Sequence, residues 1–469
     1  MKKYRTKFTV LLLLMTTFSS FGQDSKTLTE AVPESFRNTS VTDTTTVADI
    51  KWEQFFNEKD LVQLINVALV KNNDLQIAEK NIHIANLQYK QAKWGNVPQV
   101  NAFATASSSR LSENSLNGIN ANQSLGQNHI EDYTAGINLS WEVGIWGKVR
   151  NQKKNALAVY MQTAEAKKAL QTTIVANVSK GFYDLLMLDA QLEIAKKTLM
   201  LNDSTLFIVN LQFEAGQVTS LAKQQTEAQR LVAAQLIPQL EQNILIQENG
   251  LSVLTGTFPD AKERNSKLHS LIVKDNLSAG IPAQLVSRRP DVKAAELALK
   301  AANAKVGITK ASLYPSLTIT GTAGVNAFEA SNWFTIPASL FGSVAGGLTA
   351  PLLNGKKIRT QYEIAKVQRE QATIGFRQTV LVAVGEVSDA LAKIDKQATQ
   401  YSIANQRVET LKKAIANASM LFKNGMATYL EVIVAQSNLL SAELELASIK
   451  KDRLSSNVEL YRALGGGWE

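Results

Sequence analysis

The chain has 469 residues and a formal net charge of +9, and it contains no cysteine. This composition excludes disulfide frameworks, thiolate metal sites and cysteine nucleophiles. Its three histidines, His83, His129 and His269, are far apart in the sequence, which argues against a histidine metal site within one protomer.

The first residues have the order of a secretory signal peptide. Four basic residues precede an apolar run over 8–18, and small residues follow at Ser20 and Gly22, the −3 and −1 positions of a cleavage site. We therefore expect residues 1–22 to be removed after Gly22, which leaves a mature chain of net charge +5 that begins near Gln23. We see no other apolar run of the roughly 18 residues that a membrane-spanning helix needs, so the sequence predicts export and membrane insertion without helices.

Two proline-free stretches predict very long helices. No proline occurs among the 139 residues between Pro98 and Pro238, or among the 118 residues after Pro351. Apolar residues at three- and four-residue spacing fill 147–212 and 354–422, as in the seam of a coiled coil. Basic and acidic residues alternate along these helices, which favours a solvated surface over a nucleic-acid interface. Shorter helices are predicted at 60–94, 217–255, 290–313 and 427–463.

Four stretches between the helices have the period of β-strands. Apolar and small or polar residues alternate over 100–107, 135–143 and 316–320, and apolar residues share one face over 340–352, with Gly342 and Gly346 between them. With flanking residues, each stretch supplies the roughly 9–11 residues that a tilted strand needs to cross a bilayer. The polar segment 113–131 joins the first pair and predicts an external loop.

The two halves of the chain are copies of each other. Pro98 matches Pro315 at an offset of 217 residues, and Gly216 matches Gly425 at an offset of 209. Each half has the order helix, strand, loop, strand, long helix, turn, helix. Four strands cannot close a barrel, for which about eight is the minimum. Membrane-embedded strands would therefore require a shared barrel of eight strands in a dimer or twelve in a trimer, and a buried sandwich in a soluble protein is the alternative.

Several motifs, taken in order, resemble the TolC-like outer-membrane efflux channels, in the branch that partners resistance-nodulation-division pumps. The resemblance runs from about Lys51 to Trp468. The matching segments are Trp-Glu-Gln-Phe-Phe at 52–56, Trp-Gly-Lys-Val-Arg at 146–150, Ser-Arg-Arg-Pro-Asp-Val at 287–292, Pro-Leu-Leu-Asn-Gly at 351–355 and Ala-Leu-Gly-Gly-Gly-Trp at 463–468.

The resemblance implies a mixed α and β fold in a homotrimer. Long antiparallel coiled-coil helices would form a periplasmic α-barrel, and four strands per protomer would contribute to a shared twelve-stranded transmembrane β-barrel. The implied partners are a periplasmic adaptor, an inner-membrane resistance-nodulation-division pump and outer-membrane lipid, with no nucleic acid and no cofactor. Many members carry a lipid on a cysteine, which this sequence lacks, so we expect no lipid anchor.

The predicted organisation follows the duplication. The predicted segments are the signal peptide 1–22, an equatorial N-terminal segment 23–59, a first repeat 60–255 with a β-hairpin at about 98–145 and a tip at about 213–219, an equatorial connector 256–289, a second repeat 290–463 with a hairpin at about 315–353 and a tip at about 422–428, and a tail 464–469.

Gly216 and Gly425 mark the ends of the two long helices. Glycine ends a helix by taking a left-handed backbone conformation that costs other residues about 1 kcal/mol or more, and Thr219 and Thr428 can cap the next helices. An ordinary helical hairpin accounts for this pattern. The resemblance adds that the tips dock the adaptor, through Gly216, Gln217, Val218, Gly425, Met426 and Ala427.

Glu431 stands where TolC-like channels have an acid that lines the periplasmic aperture. The resemblance assigns Glu431, Phe422 and Lys223 to this aperture. Phe422 replaces an aromatic hydroxyl and cannot donate a hydrogen bond, a second acid of the pattern is Val434 here, and Lys223 follows the first-half counterpart of Glu431. A surface glutamate on a helix is the ordinary interpretation of Glu431.

Two functions remain from different classes. We find no arrangement of nucleophile, base and oxyanion donors and therefore predict that the chain is not an enzyme. The preferred function is a passive outer-membrane exit duct of a tripartite efflux pump. The alternative is an exported periplasmic coiled-coil scaffold that does not span the membrane, and the duplicated strand pairs favour the duct.

Overall fold

The computed structural model describes residues 33, 35–37, 46–127, 129–274 and 277–469. The predicted signal peptide at 1–22 and the predicted mature start at Gln23 lie outside these residues. The described chain contains ten α-helices and four strands, which we number in chain order. The helices are α1 Trp52–Phe55, α2 Lys59–Lys71, α3 Asn73–Lys93, α4 Leu116–Leu125, α5 Lys148–Glu214, α6 Ser220–Leu254, α7 Ala283–Arg288, α8 Pro290–Ala311, α9 Lys357–Lys423 and α10 Tyr429–Ala463. The strands are β1 Gln99–Arg110, β2 His129–Val143, β3 Ser316–Ala327 and β4 Leu340–Thr349.

Helices α5 and α9 dominate the fold. Each has 67 residues, and at 1.5 Å per residue each is about 100 Å long. They correspond to the predicted segments 147–212 and 354–422. Near the sheet, α5 packs against α3 and α8, and Asn155 donates a hydrogen bond from Nδ2 to the carbonyl of Ala301 at 2.9 Å. Farther from the sheet it packs against α6 and α10, so one long helix spans two tiers of shorter ones.

The predicted single helix over 60–94 is wrong, because the chain breaks at Asn72. Asn72 has ψ 126°, outside the helical region, and its Oδ1 accepts a hydrogen bond from the amide of Leu75. Its Nδ2 donates to the carbonyl of Leu254 at 2.8 Å. The buried asparagine thus starts α3 and satisfies the end of α6. Local propensity does not reveal this break, since its cause lies 182 residues away.

The four strands form one antiparallel sheet in sequence order. Gln99 pairs with Ser140, Leu317 with Val143, and Ser316 with Thr349. The start of β1, the end of β2, the start of β3 and the end of β4 therefore lie at the same end of the sheet, which we call its helix end. All four helices that join the sheet leave from the helix end.

Two details of the predicted hairpins are wrong. The segment 113–131 is not a simple loop, because it contains α4, whose N-terminus is capped by Ser115. Strand β4 ends at Thr349, so Ala350 and Leu352 lie outside it. Pro351 comes two residues after Thr349 and cannot donate a backbone hydrogen bond to a ladder.

The largest apolar core lies where the N-terminal segment meets α5, α9 and the end of α10. Phe55 stacks on Tyr461 with ring centroids 4.2 Å apart, and the Tyr461 hydroxyl donates to the carbonyl of Ile50 at 2.6 Å. Leu61 and Ile65 of α2 are fully buried in the same cluster. The motif at 52–56 is thus a packing element that holds the N-terminal segment against the helices.

A buried ionic network ties α8 to α9 and to the C-terminal segment. The Arg289 side chain donates to Asp291 Oδ1 at 3.0 Å and Oδ2 at 2.6 Å, and to Glu386 Oε2 at 2.7 Å. It also donates to the carbonyl of Ala463 at 2.9 Å, and Arg462 bonds the other oxygen of Glu386. Burial alone would raise the pKa of Asp291 and of Glu386, but hydrogen bonds from the arginines outweigh it and lower both pKa values. The motif at 287–292 is therefore structural.

One helix modifies the expectation about membrane spans. Among the described residues, α10 alone is long and apolar enough to cross a membrane by length and composition. It also packs along α9 and α5, where Leu439, Leu440 and Ala442 are buried. Part of its apolar surface is therefore used in helix packing, and length and composition alone are weak evidence for a span.

We predict that Arg289→Met destabilises the protein by about 2–3 kcal/mol, because it removes the charged hydrogen bonds that a buried guanidinium makes to two half-buried carboxylates. Arg407→Met is the matched control, since the Arg407–Glu445 pair has a similar distance of 2.6 Å but is half exposed, and exposed pairs contribute at most about 1 kcal/mol. Thermal unfolding of the detergent-solubilised variants measures the difference. Equal shifts in the two variants would contradict this account.

Candidate functional site: the turns that end the long helices

The two turns that follow α5 and α9 have the same backbone geometry. Gly216 and Gly425 both have φ +69°. The amide of Gln217 donates to the carbonyl of Gln212, and that of Met426 donates to that of Leu421, each at 2.8 Å. These six-residue closures are helix-ending motifs that require a left-handed residue. No atom lies within 4 Å of a Cβ placed on either glycine, so the backbone angle, and not space, selects glycine here.

The next helices begin with threonine caps, as predicted. Thr219 Oγ1 accepts the amide of Ala222 at 3.4 Å. Thr428 forms a complete capping box with Glu431, whose Oε2 accepts the Thr428 amide at 2.9 Å and the Thr428 hydroxyl. The hydrogen bond from that hydroxyl, together with the backbone donors, lowers the pKa of Glu431. Glu431 is therefore ionised near neutral pH and has a structural role at the start of α10.

A small core joins the two turns. Val209 from α5, Ala222 from α6, Phe422 from α9 and Val432 from α10 are buried together. We call these four residues the tip core. Phe422 is 5 % exposed, so in this conformation its ring packs between helices and does not face an opening. The resemblance places an aromatic residue with a hydroxyl group at this position. A phenylalanine fits here because its ring packs against the apolar residues of the tip core.

The predicted docking residues differ in exposure. Gly216, Gln217 and Gly425 are exposed, and Met426 is 68 % exposed. Val218 and Ala427 are half-buried against the tip core. The exposed surface at the turns is therefore smaller than the sequence suggested, since two of the six residues also hold the turns together.

The side chain of Tyr429 makes a contact that sequence reasoning missed. Its hydroxyl donates to Gln225 Oε1 at 2.6 Å and so links α10 to α6. The predicted aperture residue Lys223 is exposed, with its Nζ 5.7 Å from the centroid of the Phe213 ring. No local pattern marks Tyr429 and Gln225 as partners, because they are 204 residues apart.

Comparisons with known proteins identify the family. The family model for outer membrane efflux proteins matches residues 64–257 and 281–466, which is most of the chain. The chain belongs to the outer membrane efflux protein family. The family, the efflux function and the outer-membrane location predicted from the sequence are thereby confirmed.

Curated relatives cover nearly the whole chain. The cation efflux system protein CusC of Escherichia coli O6:H1 is 28% identical over 422 residues, covering 89% of this chain and 88% of CusC. The solvent efflux pump outer membrane protein SrpC of Pseudomonas putida is 29% identical over 422 residues, covering 89% and 87%. The probable outer membrane lipoprotein SilC of Salmonella typhimurium is 26% identical, covering 93% of each chain.

Solved structures have the same fold. A crystal structure of CusC superposes with a TM-score of 0.80 at 27% identity, covering 93% of this chain and 97% of that one. A membrane protein from Pseudomonas aeruginosa superposes with a TM-score of 0.81 at 25% identity, covering 92% and 99%. The described elements thus form the mixed helical and β fold of outer-membrane efflux proteins.

We predict that Thr428→Val weakens the start of α10 by about 1 kcal/mol, because it removes the side-chain cap. Glu431→Gln should leave that turn intact, since a glutamine oxygen also completes a capping box. Amide hydrogen exchange of residues 429–432 measures both effects, with Thr219→Val as the first-half counterpart. Equal loss of protection in Glu431→Gln would show that the charge of Glu431, and not its hydrogen bond, holds the cap.

Proposed function

We propose that three copies of this chain close one twelve-stranded barrel across the outer membrane and form a passive exit duct for a tripartite efflux pump. The open sheet carries this proposal. Strands β1 and β4 are its edges, and within the described residues neither edge has a further partner strand. Each unpaired backbone group in lipid costs several kcal/mol, so a four-stranded sheet must share its edges to enter a bilayer.

The dimensions of the sheet support a membrane position. Strand β3 has 12 residues, and a strand of that length tilted by about 40° rises roughly 25–30 Å, close to the apolar band of outer-membrane barrels. Aromatic pairs lie near both ends of the strands. Tyr133 and Trp333 have ring centroids 5.5 Å apart at the far end, and Trp146 and Tyr314 have centroids 5.0 Å apart at the helix end. Aromatic residues favour both interfaces of a bilayer.

The strand surface disfavours the alternative of a soluble scaffold. Val100 of β1 is 59 % exposed, and Val344 and Leu348 of β4 are 85 % and 68 % exposed. A scaffold would leave this apolar edge in water, whereas lipid and neighbouring protomers would cover it in a barrel. The helices, which leave from the helix end of the sheet, would then extend the duct into the periplasm.

The exposed parts of the two tips are the proposed docking surface for a periplasmic adaptor, which would connect the duct to an inner-membrane resistance-nodulation-division pump. Gly216, Gln217, Gly425 and Met426 present backbone, one polar amide side chain and one flexible apolar side chain at the end farthest from the sheet. CusC is named for cation efflux and SrpC for solvent efflux, at 28% and 29% identity. The similarity therefore favours neither class of cargo.

Glu431, Phe422 and Lys223 stay proposed residues of the periplasmic aperture. Glu431 would contribute a negative charge next to the turn, Lys223 is the exposed cation on the neighbouring helix, and Phe422 would act through packing in the tip core. Because glutamine keeps the capping box, a change in ion selectivity of Glu431→Gln channels would report the charge alone.

We predict that Val344→Lys lowers the yield of trimer in outer membranes, because a lysine on the lipid side of a barrel costs about 2–4 kcal/mol near the midplane. Ala345→Lys is the matched control, since neighbouring residues of a strand point to opposite faces. The measurement is trimer recovery from membranes in mild detergent, at three times the protomer mass. A soluble monomer that tolerates both substitutions would support the scaffold and exclude the duct.

We predict that Gly425→Val and Met426→Glu both reduce cross-linking to a co-expressed periplasmic adaptor while trimer yield stays unchanged. The first strains the left-handed turn by about 1 kcal/mol or more, and the second places a charge in an apolar contact. Gly425→Asn is the control, because asparagine tolerates this conformation. Normal cross-linking in both test variants would remove the tips from the docking surface.

A further inference from the structure

The four junctions between the sheet and the helices carry an unusual concentration of positive charge. These junctions are the segments 88–97, 144–156, 303–314 and 353–362, and the register of the sheet places them all at its helix end. They contain eleven Lys and Arg residues and no Asp or Glu. We call these eleven the basic ring: Lys90, Lys93, Lys148, Arg150, Lys153, Lys154, Lys305, Lys310, Lys356, Lys357 and Arg359.

The basic ring more than accounts for the net positive charge of +5 that the chain has beyond the predicted signal peptide. Four of the 50 Lys and Arg residues lie in 1–22, and eleven of the other 46 lie in the ring. The remaining 35 face 41 Asp and Glu residues, so the rest of the chain has a net charge of −6. A surface of mixed charge does not explain such a separation.

The charges of the basic ring are largely free. Nine of its residues are exposed, and Lys148 and Lys153 are half-buried. Among the described residues, only Lys148 of the ring forms an ion pair, with Glu142 at 2.9 Å. All eleven lie within about 10 Å of a helix end along the helix axis, at 1.5 Å per residue. They therefore form a shallow band beside the sheet. Apart from the pair between Lys148 and Glu142, no acid among the described residues neutralises these charges.

Large apolar residues lie between the basic ring and the sheet at all four junctions. At three junctions an aromatic residue lies nearer to the strand than the basic residue does. These pairs are Trp94 with Lys93, Trp146 with Lys148, and Tyr314 with Lys310. At the fourth junction Leu352 and Leu353, 90 % and 99 % exposed, precede Lys356 and Lys357. Apolar and aromatic residues followed by long basic side chains match the boundary between acyl chains and head groups.

We propose that the basic ring binds anionic phospholipid head groups in the periplasmic leaflet of the outer membrane. This inference rests on the proposed function, because it needs the sheet to lie in the bilayer. The lysines and arginines would contact phosphates while the apolar layer beside them enters the acyl region. Three protomers would present 33 such charges around one barrel, which would fix its depth and enrich anionic lipid at its base.

The test compares lipids that differ only in head group. The purified parent trimer is mixed with equal amounts of dimyristoyl phosphatidylglycerol and dimyristoyl phosphatidylcholine, and native mass spectrometry counts the lipids retained at low and at high salt. The ring variant combines Lys93→Gln, Lys310→Gln, Lys356→Gln and Lys357→Gln. The control variant removes the same charge elsewhere, through Lys71→Gln, Lys80→Gln, Lys396→Gln and Lys413→Gln, at four exposed lysines.

We expect the parent and the control variant to retain phosphatidylglycerol in preference to phosphatidylcholine, and salt to weaken the preference. The preference should fall at least about fivefold in the ring variant, while trimer yield stays unchanged. A parent without preference, or an equal loss in the control variant, would overturn the proposal. An unchanged lipid preference with altered ion selectivity in the ring variant would overturn it by assigning these charges to the channel wall.

Two further outcomes separate this proposal from others. In a parallel run, disaccharide-peptide fragments of the cell wall are added to the same lipid mixture; if the parent retains them in place of phosphatidylglycerol, the ring is a cell-wall contact and the lipid proposal fails. If the parent forms no membrane trimer, both the duct and the lipid proposal fail. A conducting trimer without lipid preference overturns only the role of the basic ring.

Discussion

The backbone hydrogen bonds of the sheet edges are the constraint on which the rest of the proposed assembly depends. β1 and β4 each have one unpaired edge in the described protomer, and lipid offers no partner for these groups. Three protomers that share their edges would satisfy all of them in one closed barrel. A barrel shared between protomers is therefore a requirement of the sheet in lipid, and the helices must follow whatever symmetry the sheet imposes.

The antiparallel register also determines where the helices go. Because every strand end that joins a helix lies at the helix end of the sheet, α3, α5, α8 and α9 leave the sheet in the same direction. The 67-residue α5 then has to be matched by stacked shorter helices. Asn72 makes one such junction by bonding the end of α6 while it starts α3. The buried Arg289 network holds the corresponding tier in the second repeat.

The two ends of the helical body have different chemistry. At the sheet, the basic ring is exposed and almost unpaired, which suits an anionic surface. At the tips, a compact apolar core holds both turns, and the exposed groups are both apolar and charged, among them Met426 and the charged side chains of Lys223 and Glu431. Glu431, which the family resemblance assigns to an aperture, also completes a helix cap. A residue with both roles can change charge without loss of structure only if its replacement keeps the hydrogen bond, as glutamine does.

Much of this protein could be predicted from the sequence by itself, because the features are local. The absence of proline predicted the two long helices, alternation predicted four strands, and the positions of Gly216 and Gly425 predicted equivalent turns with a threonine cap after each. Ordered motifs predicted the family. Only the tertiary structure decided the break at Asn72, the burial of Phe422, and the pairing of Tyr429 with Gln225, since each depends on residues that are far away in the sequence. The charge pattern shows the same division. Most basic residues are interleaved with acids along the sequence, and the eleven of the basic ring lie in four separate segments, free of acids, that are distributed over more than half of the chain. The register of the sheet brings these segments together at its helix end, because strand pairing joins residues that are far apart in the sequence.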